Sequence, residues 1–271
     1  MKKTVKRTAY QTLQRLGVLP SVWMLRNPIK IHEYLEVVRG AGLEQSHDAL
    51  DIGCGKGFQT QILARRCRRI LGVDVSPSQI SEARKFLAGS RVERKTEFRQ
   101  GRLQDLGLPA ESLDRVLSFC VLEHIPELDI VLAEVARLLR PGGELHVSVD
   151  SLGTIRDESL IAKHRSDHFV HQYFTVETLP KQLAAAGLEP LEIRPILTGP
   201  TARVWFEERI RSNQPQVSFV ERMRLFRRFR DEDRKAGASA REGIMIVGRA
   251  RKPATSSSSP SASASGGPNG S

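Results

Sequence analysis

Short apolar runs alternate with helical patterns between residues 47 and 149. The runs predict strands, and the apolar spacing between them is that of amphipathic helices. The predicted strands span residues 47–52, 70–75, 96–100, 114–121 and 144–149. Strands that alternate with helices in this way are typical of βα units, which form a parallel sheet.

Beyond residue 150 the pattern predicts another helix and two more strands. The helix covers residues 177–186 and ends at Gly187, and the strands cover residues 191–197 and 243–250. We expect the two strands to pair as an antiparallel hairpin at one side of the sheet. The predicted fold is therefore α/β, with a doubly wound, mostly parallel, seven-stranded sheet and an antiparallel edge strand.

Composition divides the chain into three predicted parts. A basic helical arm or lid covers residues 1–42, the main domain covers residues 43–250, and a tail rich in Ser, Pro, Gly and Ala covers residues 251–271. The tail is predicted to be disordered because it has too few apolar residues to form a core. Two insertions, residues 151–174 and 200–240, interrupt the main domain.

The chemistry is concentrated in a loop after the first predicted strand. Asp51 precedes three alternating glycines, Gly53, Gly55 and Gly57, and Asp74 ends the second predicted strand. Alternating glycines let the backbone turn tightly and approach a ligand closely. Asp74 lies at the spacing of a carboxylate that binds ribose hydroxyls. A carboxylate at Asp51 would repel a pyrophosphate and suits a cationic ligand, such as the sulfonium and ammonium of S-adenosylmethionine.

Three segments give the chain a family resemblance. Residues 50–57, 113–124 and 138–145 resemble motifs of the class I S-adenosylmethionine-dependent methyltransferases. The last segment, Leu-Leu-Arg-Pro-Gly-Gly-Glu-Leu, is similar to the type 11 branch that acts on small molecules and lipids, including quinone-biosynthesis enzymes. The resemblance implies a Rossmann-like methyltransferase fold and S-adenosyl-L-methionine as the methyl donor.

The same motifs imply the cofactor site. We expect Asp51 to hold the donor's ammonium group, Asp74 its ribose hydroxyls and Val75 its adenine. Related enzymes carry an acid where this chain has Arg102, so the adenine contact is expected to pass to Leu103 and Gln104, or to Asp105. The predicted cofactor residues are Asp51, Gly53, Cys54, Gly55, Gly57, Asp74, Val75, Leu103, Gln104 and Cys120.

Acid–base residues follow the fourth and fifth predicted strands. The predicted catalytic residues are His124, Glu123 and His168, since an imidazole near its ordinary pKa can deprotonate a hydroxyl. A purely structural role for His124 stays open. His164 and His168 would share one face if their segment were a helix. No metal site is predicted, because Cys54, Cys67 and Cys120 are scattered.

Composition bounds the partners. The net charge is +11, which fits nucleic acid, anionic lipid or an acidic substrate. No apolar run is long enough to cross a membrane, and the scattered cysteines fit a cytoplasmic protein. The basic arm and the basic pattern at residues 219–229 are expected to be lids on the domain, or to contact an anionic membrane.

We predict methyl transfer to an oxygen or carbon of a small or lipid-like acceptor. RNA methylation and a non-catalytic scaffold that binds S-adenosylmethionine are the alternatives. The RNA alternative is weakened because residues 118–121 are Ser-Phe-Cys-Val. Enzymes that methylate base amines carry an Asn/Asp-Pro-Pro-aromatic motif there.

Overall fold

The computed structural model describes residues 12–212 and 217–254. Residues 255–271 of the predicted disordered tail and the first eleven residues of the arm lie outside this range. Residues 251–254 of the predicted tail are described, and Arg251 ends a strand. The strands are β1 Asp48–Ile52, β2 Arg69–Asp74, β3 Thr96–Gln100, β4 Leu113–Phe119, β5 Leu139–Asp150, β6 Glu189–Ile196 and β7 Met245–Arg251. The helices that we discuss are α1 Pro28–Ala41, α2 Phe58–Leu63, α3 Pro77–Leu87, α4 Leu128–Leu138, α5 Glu158–His168, α6 Thr178–Ala185, α7 Pro200–Ser212 and α8 Phe219–Ala236.

The strands form one sheet with the order β3-β2-β1-β4-β5-β7-β6. All neighbouring strands are parallel except β7, which is antiparallel to both β5 and β6. The predicted mostly parallel sheet and its antiparallel pair are confirmed; within that pair β6 forms the edge, and β7 lies one place inside. The strand order reverses between β1 and β4. A crevice opens there at the carboxyl ends, where open α/β sheets bind ligands.

Local sequence explains where the helices around this crevice begin and end. Asn27 and Ser76 cap α1 and α3 by accepting backbone N–H groups, and each is followed by proline at the first helical position. Proline is favoured there because its missing N–H would have no partner inside the helix. Gly42 then ends α1 in the left-handed conformation.

Helices cover both faces of the sheet. Helices α4 and α6 pack on one face, while α1, α2, α3, α7 and α8 contribute to the core on the other. Helix α1 buries most of its length, and its Tyr34 ring stacks on Phe119 of β4 with centroids 5.5 Å apart. The part of the arm that the structure describes therefore packs on the domain, and Trp23 also meets Phe226 of α8 at 5.7 Å.

None of the described helices is long and apolar enough to span a bilayer. Contact with a membrane surface stays a prediction.

Candidate active site

The glycine loop between β1 and α2 is tightly folded. The amides of Gly53 and Cys54 donate to the carbonyl of Val73, at 2.8 and 3.0 Å. Gly53 has a φ of 69°, and a Cβ there would lie 2.3 Å from a methyl group of Val121. Gly57 has a φ of 70°, and its Cβ would lie 2.3 Å from Phe98. Both positions therefore require glycine, for conformation and for space.

Asp74 is held in place by this loop. One carboxylate oxygen accepts the Gly55 amide at 2.9 Å, and the other accepts the Ser76 amide at 2.9 Å. The side chain stands at the carboxyl end of β2, and it forms part of a cavity wall. Backbone amides thus orient the carboxylate that the sequence predicts to bind ribose.

Asp51 lies deeper than Asp74. Its side chain is 1% exposed and accepts a hydrogen bond from the Thr60 hydroxyl at 2.6 Å. Burial, together with the nearby charge of Asp74, raises the pKa of Asp51 to about 7 against the opposing hydrogen bond from Thr60. The two predicted carboxylates are therefore close enough to interact, although Asp51 is beneath the loop and outside the cavity wall.

The cavity at the reversal point has a volume of about 560 Å³, and we call it the cofactor cavity. Five predicted cofactor residues line it: Gly53, Asp74, Val75, Leu103 and Gln104. Cys54 is buried behind the loop, where burial raises the pKa of its thiol. The apolar part of the wall comes from residues that the sequence did not single out: Ile52, Val73, Val121, Ile125, Pro126 and Val131.

Two polar residues of this cavity, Arg102 and Gln104, concern the adenine contact, because Arg102 stands where related enzymes carry an acid. Arg102 forms an ion pair with Glu127 at 3.3 Å, and both side chains are largely exposed. The Gln104 side-chain oxygen is buried without a hydrogen-bond partner. An unpaired buried acceptor is costly, so Gln104 is suited to receive a donor from a ligand in the cavity. Asp105 does not line the cavity.

A second, smaller cavity of about 170 Å³ adjoins the first; we call it the acceptor cavity. Cys120, His124 and His168 of the predicted site line it, and His124 also lines the cofactor cavity. Cys120 has a φ of 51°, an uncommon conformation for a residue other than glycine. The turn after β4 thus separates the two cavities, and His124 borders both.

The predicted pairing of His164 and His168 on one helical face is confirmed, because both lie on α5 with ring centroids 4.6 Å apart. Nδ1 of His164 lies 3.0 Å from the Tyr173 hydroxyl, and Nε2 lies 3.7 Å from an oxygen of Asp150. Burial lowers the pKa of His164 to about 4 and also lowers that of His168. Both rings are therefore neutral near pH 7.

Glu123 is fully buried and lines neither cavity. One carboxyl oxygen accepts the Asp150 amide at 3.3 Å, and the other has no partner. Burial, with the nearby Asp150, raises the pKa of Glu123 well above its ordinary value. The geometry supports a role in positioning the turn after β4.

Among the described residues, one group of three metal-ligating side chains lies close together. Ligand atoms of Cys120, Glu123 and Asp150 are all within 4.8 Å of one another. The protonated state that burial favours for the Cys120 thiol and Glu123 is unsuited to a metal, whose ligands must be deprotonated. The absence of a metal site stays a prediction.

Sequence reasoning missed several acceptor-cavity residues, listed here with their elements: Lys30 of α1, Asp150 of β5, Phe206 and Arg209 of α7, and Met245 of β7. Of these, Asp150 had a usable signal, because it is an acid at the end of a predicted strand. Asp157, just before α5, caps this helix by accepting the amides of Ser159 and Leu160.

Comparisons with known proteins agree with this geometry. Residues 50–147 match a family model described as a methyltransferase domain. An O-methyltransferase of ubiquinone biosynthesis from Sinorhizobium fredii is 30% identical over 164 residues, which cover 58% of this chain and 65% of that protein. An arsenite methyltransferase from Halobacterium salinarum is 33% identical over 159 residues, which cover 57% of this chain and 40% of that protein. The match thus spans less than two thirds of either relative.

Among solved structures, geranyl diphosphate C-methyltransferase from Streptomyces coelicolor has a TM-score of 0.61 at 15% identity, over 81% of this chain and 78% of that one. This likeness shows the fold. The chain thus shares the fold of that enzyme, and its residues 50–147 are similar in sequence to a methyltransferase domain.

Proposed function

We propose that this protein transfers a methyl group from S-adenosylmethionine to an oxygen or carbon of a small or lipid-like acceptor. The observation that carries the proposal is the junction of two cavities at His124. One cavity has the glycine loop and Asp74 of a nucleoside site, and the other has imidazoles and charged groups. A donor and an acceptor bound on either side would meet at the turn after β4.

In the proposed complex, Asp74 accepts the ribose hydroxyls, and Val75 and Ile125 enclose the adenine. The Gln104 side-chain oxygen accepts a hydrogen bond from the adenine amino group. Gln104 thus takes the role of the acid that related enzymes carry at the position of Arg102. Asp51 lies beneath the loop, where its charge attracts the ammonium group, and the nearby cation would lower its pKa. These contacts hold the sulfonium methyl toward the acceptor cavity, and such positioning supplies roughly 7–11 kcal/mol in oriented reactions.

On the acceptor side, His168 is the proposed general base for a hydroxyl acceptor. Its lowered pKa keeps the imidazole neutral near pH 7, ready to take the proton as the oxygen attacks the methyl carbon. His124 lies at the junction and orients the acceptor, and Glu123 supports the turn from below. The cavity of about 170 Å³ favours a compact reacting group, with any longer tail outside it.

The names of the relatives support this acceptor class, since they include an O-methyltransferase of ubiquinone biosynthesis and a C-methyltransferase of geranyl diphosphate. The direct test supplies S-adenosylmethionine with a labelled methyl group, together with quinone-like phenols, extracted lipids or bulk RNA. We expect label in a phenol or lipid fraction with the wild type and none with Asp74→Asn. Label in RNA alone would transfer the assignment to RNA methylation, and no transfer to any fraction, despite cofactor binding, would favour a scaffold.

A further inference from the structure

A third cavity lies away from the two described above, between α1, α8 and strands β6 and β7. Its volume is about 500 Å³, and it shares no lining residue with the cofactor or acceptor cavity. His146, on its floor, is four residues before Asp150 in β5, which is roughly 13 Å along the strand. We call this space the arginine cavity.

The floor is built from alternate positions of neighbouring strands, which point to the same sheet face. Arg249 of β7 is in register with His146 of β5 and Glu192 of β6. His146 is only 2% exposed, and a Cβ at Gly40 would lie 3.7 Å from its Nδ1 atom. Glycine is disfavoured in a helix relative to alanine, and at this position it leaves room above the imidazole.

The acids of the arginine cavity are already paired. Arg194 forms ion pairs with both Glu36, at 2.5 Å, and Glu192, at 2.8 Å. Asp233 accepts from the amides of Leu197 and Thr198, at 2.9 and 2.8 Å, and pairs with His32 at 2.7 Å. These carboxylates therefore have little capacity left for further cations.

Four guanidinium groups remain around the opening: Arg39, Arg230, Arg234 and Arg249. Within the described part of the chain, neither Arg39 nor Arg249 has a carboxylate within ion-pair distance. Arg230 and Arg234 share only Asp231, at 3.7 and 3.8 Å. The buried Arg249 Nε atom also has no hydrogen-bond partner. A concave site with surplus guanidinium donors is an arrangement that binds an oxyanion.

We infer that the arginine cavity is a binding site for the phosphate or diphosphate group of a small molecule. The planar guanidinium matches phosphate geometry with two parallel hydrogen bonds. The volume falls within the range of roughly 300–1,000 Å³ that small-ligand pockets occupy, whereas a nucleic-acid strand would need an open groove. The phosphate could be free in solution or belong to a lipid headgroup, because both present the same oxygens.

The test is calorimetric titration of the full chain with inorganic pyrophosphate at constant ionic strength. We expect one saturable site in the wild type and at least tenfold weaker binding in the double variant Arg39→Gln/Arg249→Gln. The matched control is Arg224→Gln/Arg241→Gln, which removes two exposed cations outside the cavity, and its affinity should stay within twofold. Arg249→Lys keeps the charge, and it should bind with intermediate affinity if the paired donors matter.

Thermal melts of all variants identify any that fail to fold. If the double variant fails to fold, Arg249→Lys still tests the site. No saturable binding by the wild type, or equal binding by the folded double variant, would overturn the inference. Displacement of pyrophosphate by phosphatidylglycerol vesicles, but not by phosphatidylcholine vesicles, would assign the phosphate to a lipid headgroup. No displacement by either vesicle would assign it to a free compound.

Discussion

The cofactor cavity and the acceptor cavity are built in opposite ways. Gly53 and Asp74, and the amides that fix Asp74, come from one βαβ unit, and backbone groups do much of the orienting. The acceptor cavity takes side chains from α1, α5, α7, β5, β7 and the turn after β4. Under the proposed function, a local motif holds the donor, and side chains from separate segments select the acceptor. Substitutions in those segments are then expected to change specificity without disturbing the donor site.

The largest effect is expected for Asp74→Asn, with S-adenosylhomocysteine binding measured by calorimetry. We expect at least a hundredfold loss of affinity, because the variant loses the charged acceptor of two hydroxyl groups. Each hydrogen bond to a charged group contributes about 1.5–3 kcal/mol. Asp105→Asn is the matched control, since Asp105 is an exposed acid outside the cavity, and it should change affinity less than twofold. Equal affinities in both variants would remove Asp74 from the cofactor site.

On the acceptor side, His168→Gln should lower kcat about a hundredfold and leave S-adenosylhomocysteine binding within twofold. The lowered pKa of His168 also sets the sign of the pH dependence. The base is active when deprotonated, so the acid limb of the kcat profile should lie below the ordinary histidine pKa, and this limb should disappear in the variant. His171→Gln, outside the cavity, is the control. An unchanged kcat in His168→Gln would make His168 structural.

Asp51→Asn should weaken cofactor binding but raise the folding stability of the cofactor-free protein at pH 8. We expect roughly tenfold weaker cofactor binding, because the charge that faces the ammonium is lost. The pKa of about 7 lies above the ordinary value, so ionising Asp51 costs folding free energy as pH rises from about 4 to 7. The cofactor-free variant should therefore be more stable than the wild type at pH 8, by about 2–4 kcal/mol, and equally stable near pH 4.

The matched control for this pH effect is Asp48→Asn in the same strand. Hydrogen bonds and charge from Arg69 and Arg68 outweigh burial and lower the pKa of Asp48. Its ionised form therefore stabilises the fold above the ordinary aspartate pKa, and this stability is lost as pH falls. Denaturant unfolding at pH 8 should show Asp48→Asn less stable than the wild type. If Asp51→Asn were less stable than the wild type at pH 8, the description of Asp51 as a buried carboxylate with a raised pKa would be contradicted.

The smallest effect is expected at the adenine end. Gln104→Leu should weaken S-adenosylhomocysteine binding about fivefold, since one neutral hydrogen bond contributes about 1 kcal/mol. Gln104→Glu retains an acceptor and should restore most of the affinity. Arg102→Gln should change affinity less than twofold, because exposed ion pairs contribute little. A larger effect at Arg102 than at Gln104 would reverse their assigned roles.

The strands and the loop around the cofactor cavity could be predicted from the sequence, because local residue patterns determine them. Apolar runs marked the strands, and the glycine spacing with Asp74 marked the loop. The fifth strand is predicted to begin at residue 144, but β5 begins at Leu139 and includes the Pro-Gly-Gly. The Pro-Gly-Gly has no partner in the strand register, which passes from the Leu113–Leu139 pair to the Arg115–Glu144 pair. These residues therefore form an irregularity within β5, in which their turn preference persists.

The acceptor half could not be predicted in the same way. Ser148 donates to Glu33, 115 residues earlier in the chain, and this contact helps to place α1 and Lys30 beside the acceptor cavity. No local pattern records such a pairing. Phe219 and Val220, at the start of α8, are exposed, and the buried apolar side chains of this helix are Leu225, Phe226 and Phe229.

The most direct test of the account is a structure of the protein with bound S-adenosylhomocysteine. We expect the ribose hydroxyls on Asp74, the adenine between Val75 and Ile125, and the sulfur atom directed past Cys120 toward His124 and His168. A cofactor bound in this cavity with its sulfur directed away from the acceptor cavity, or bound elsewhere on the chain, would contradict the proposal that the two cavities form one active site.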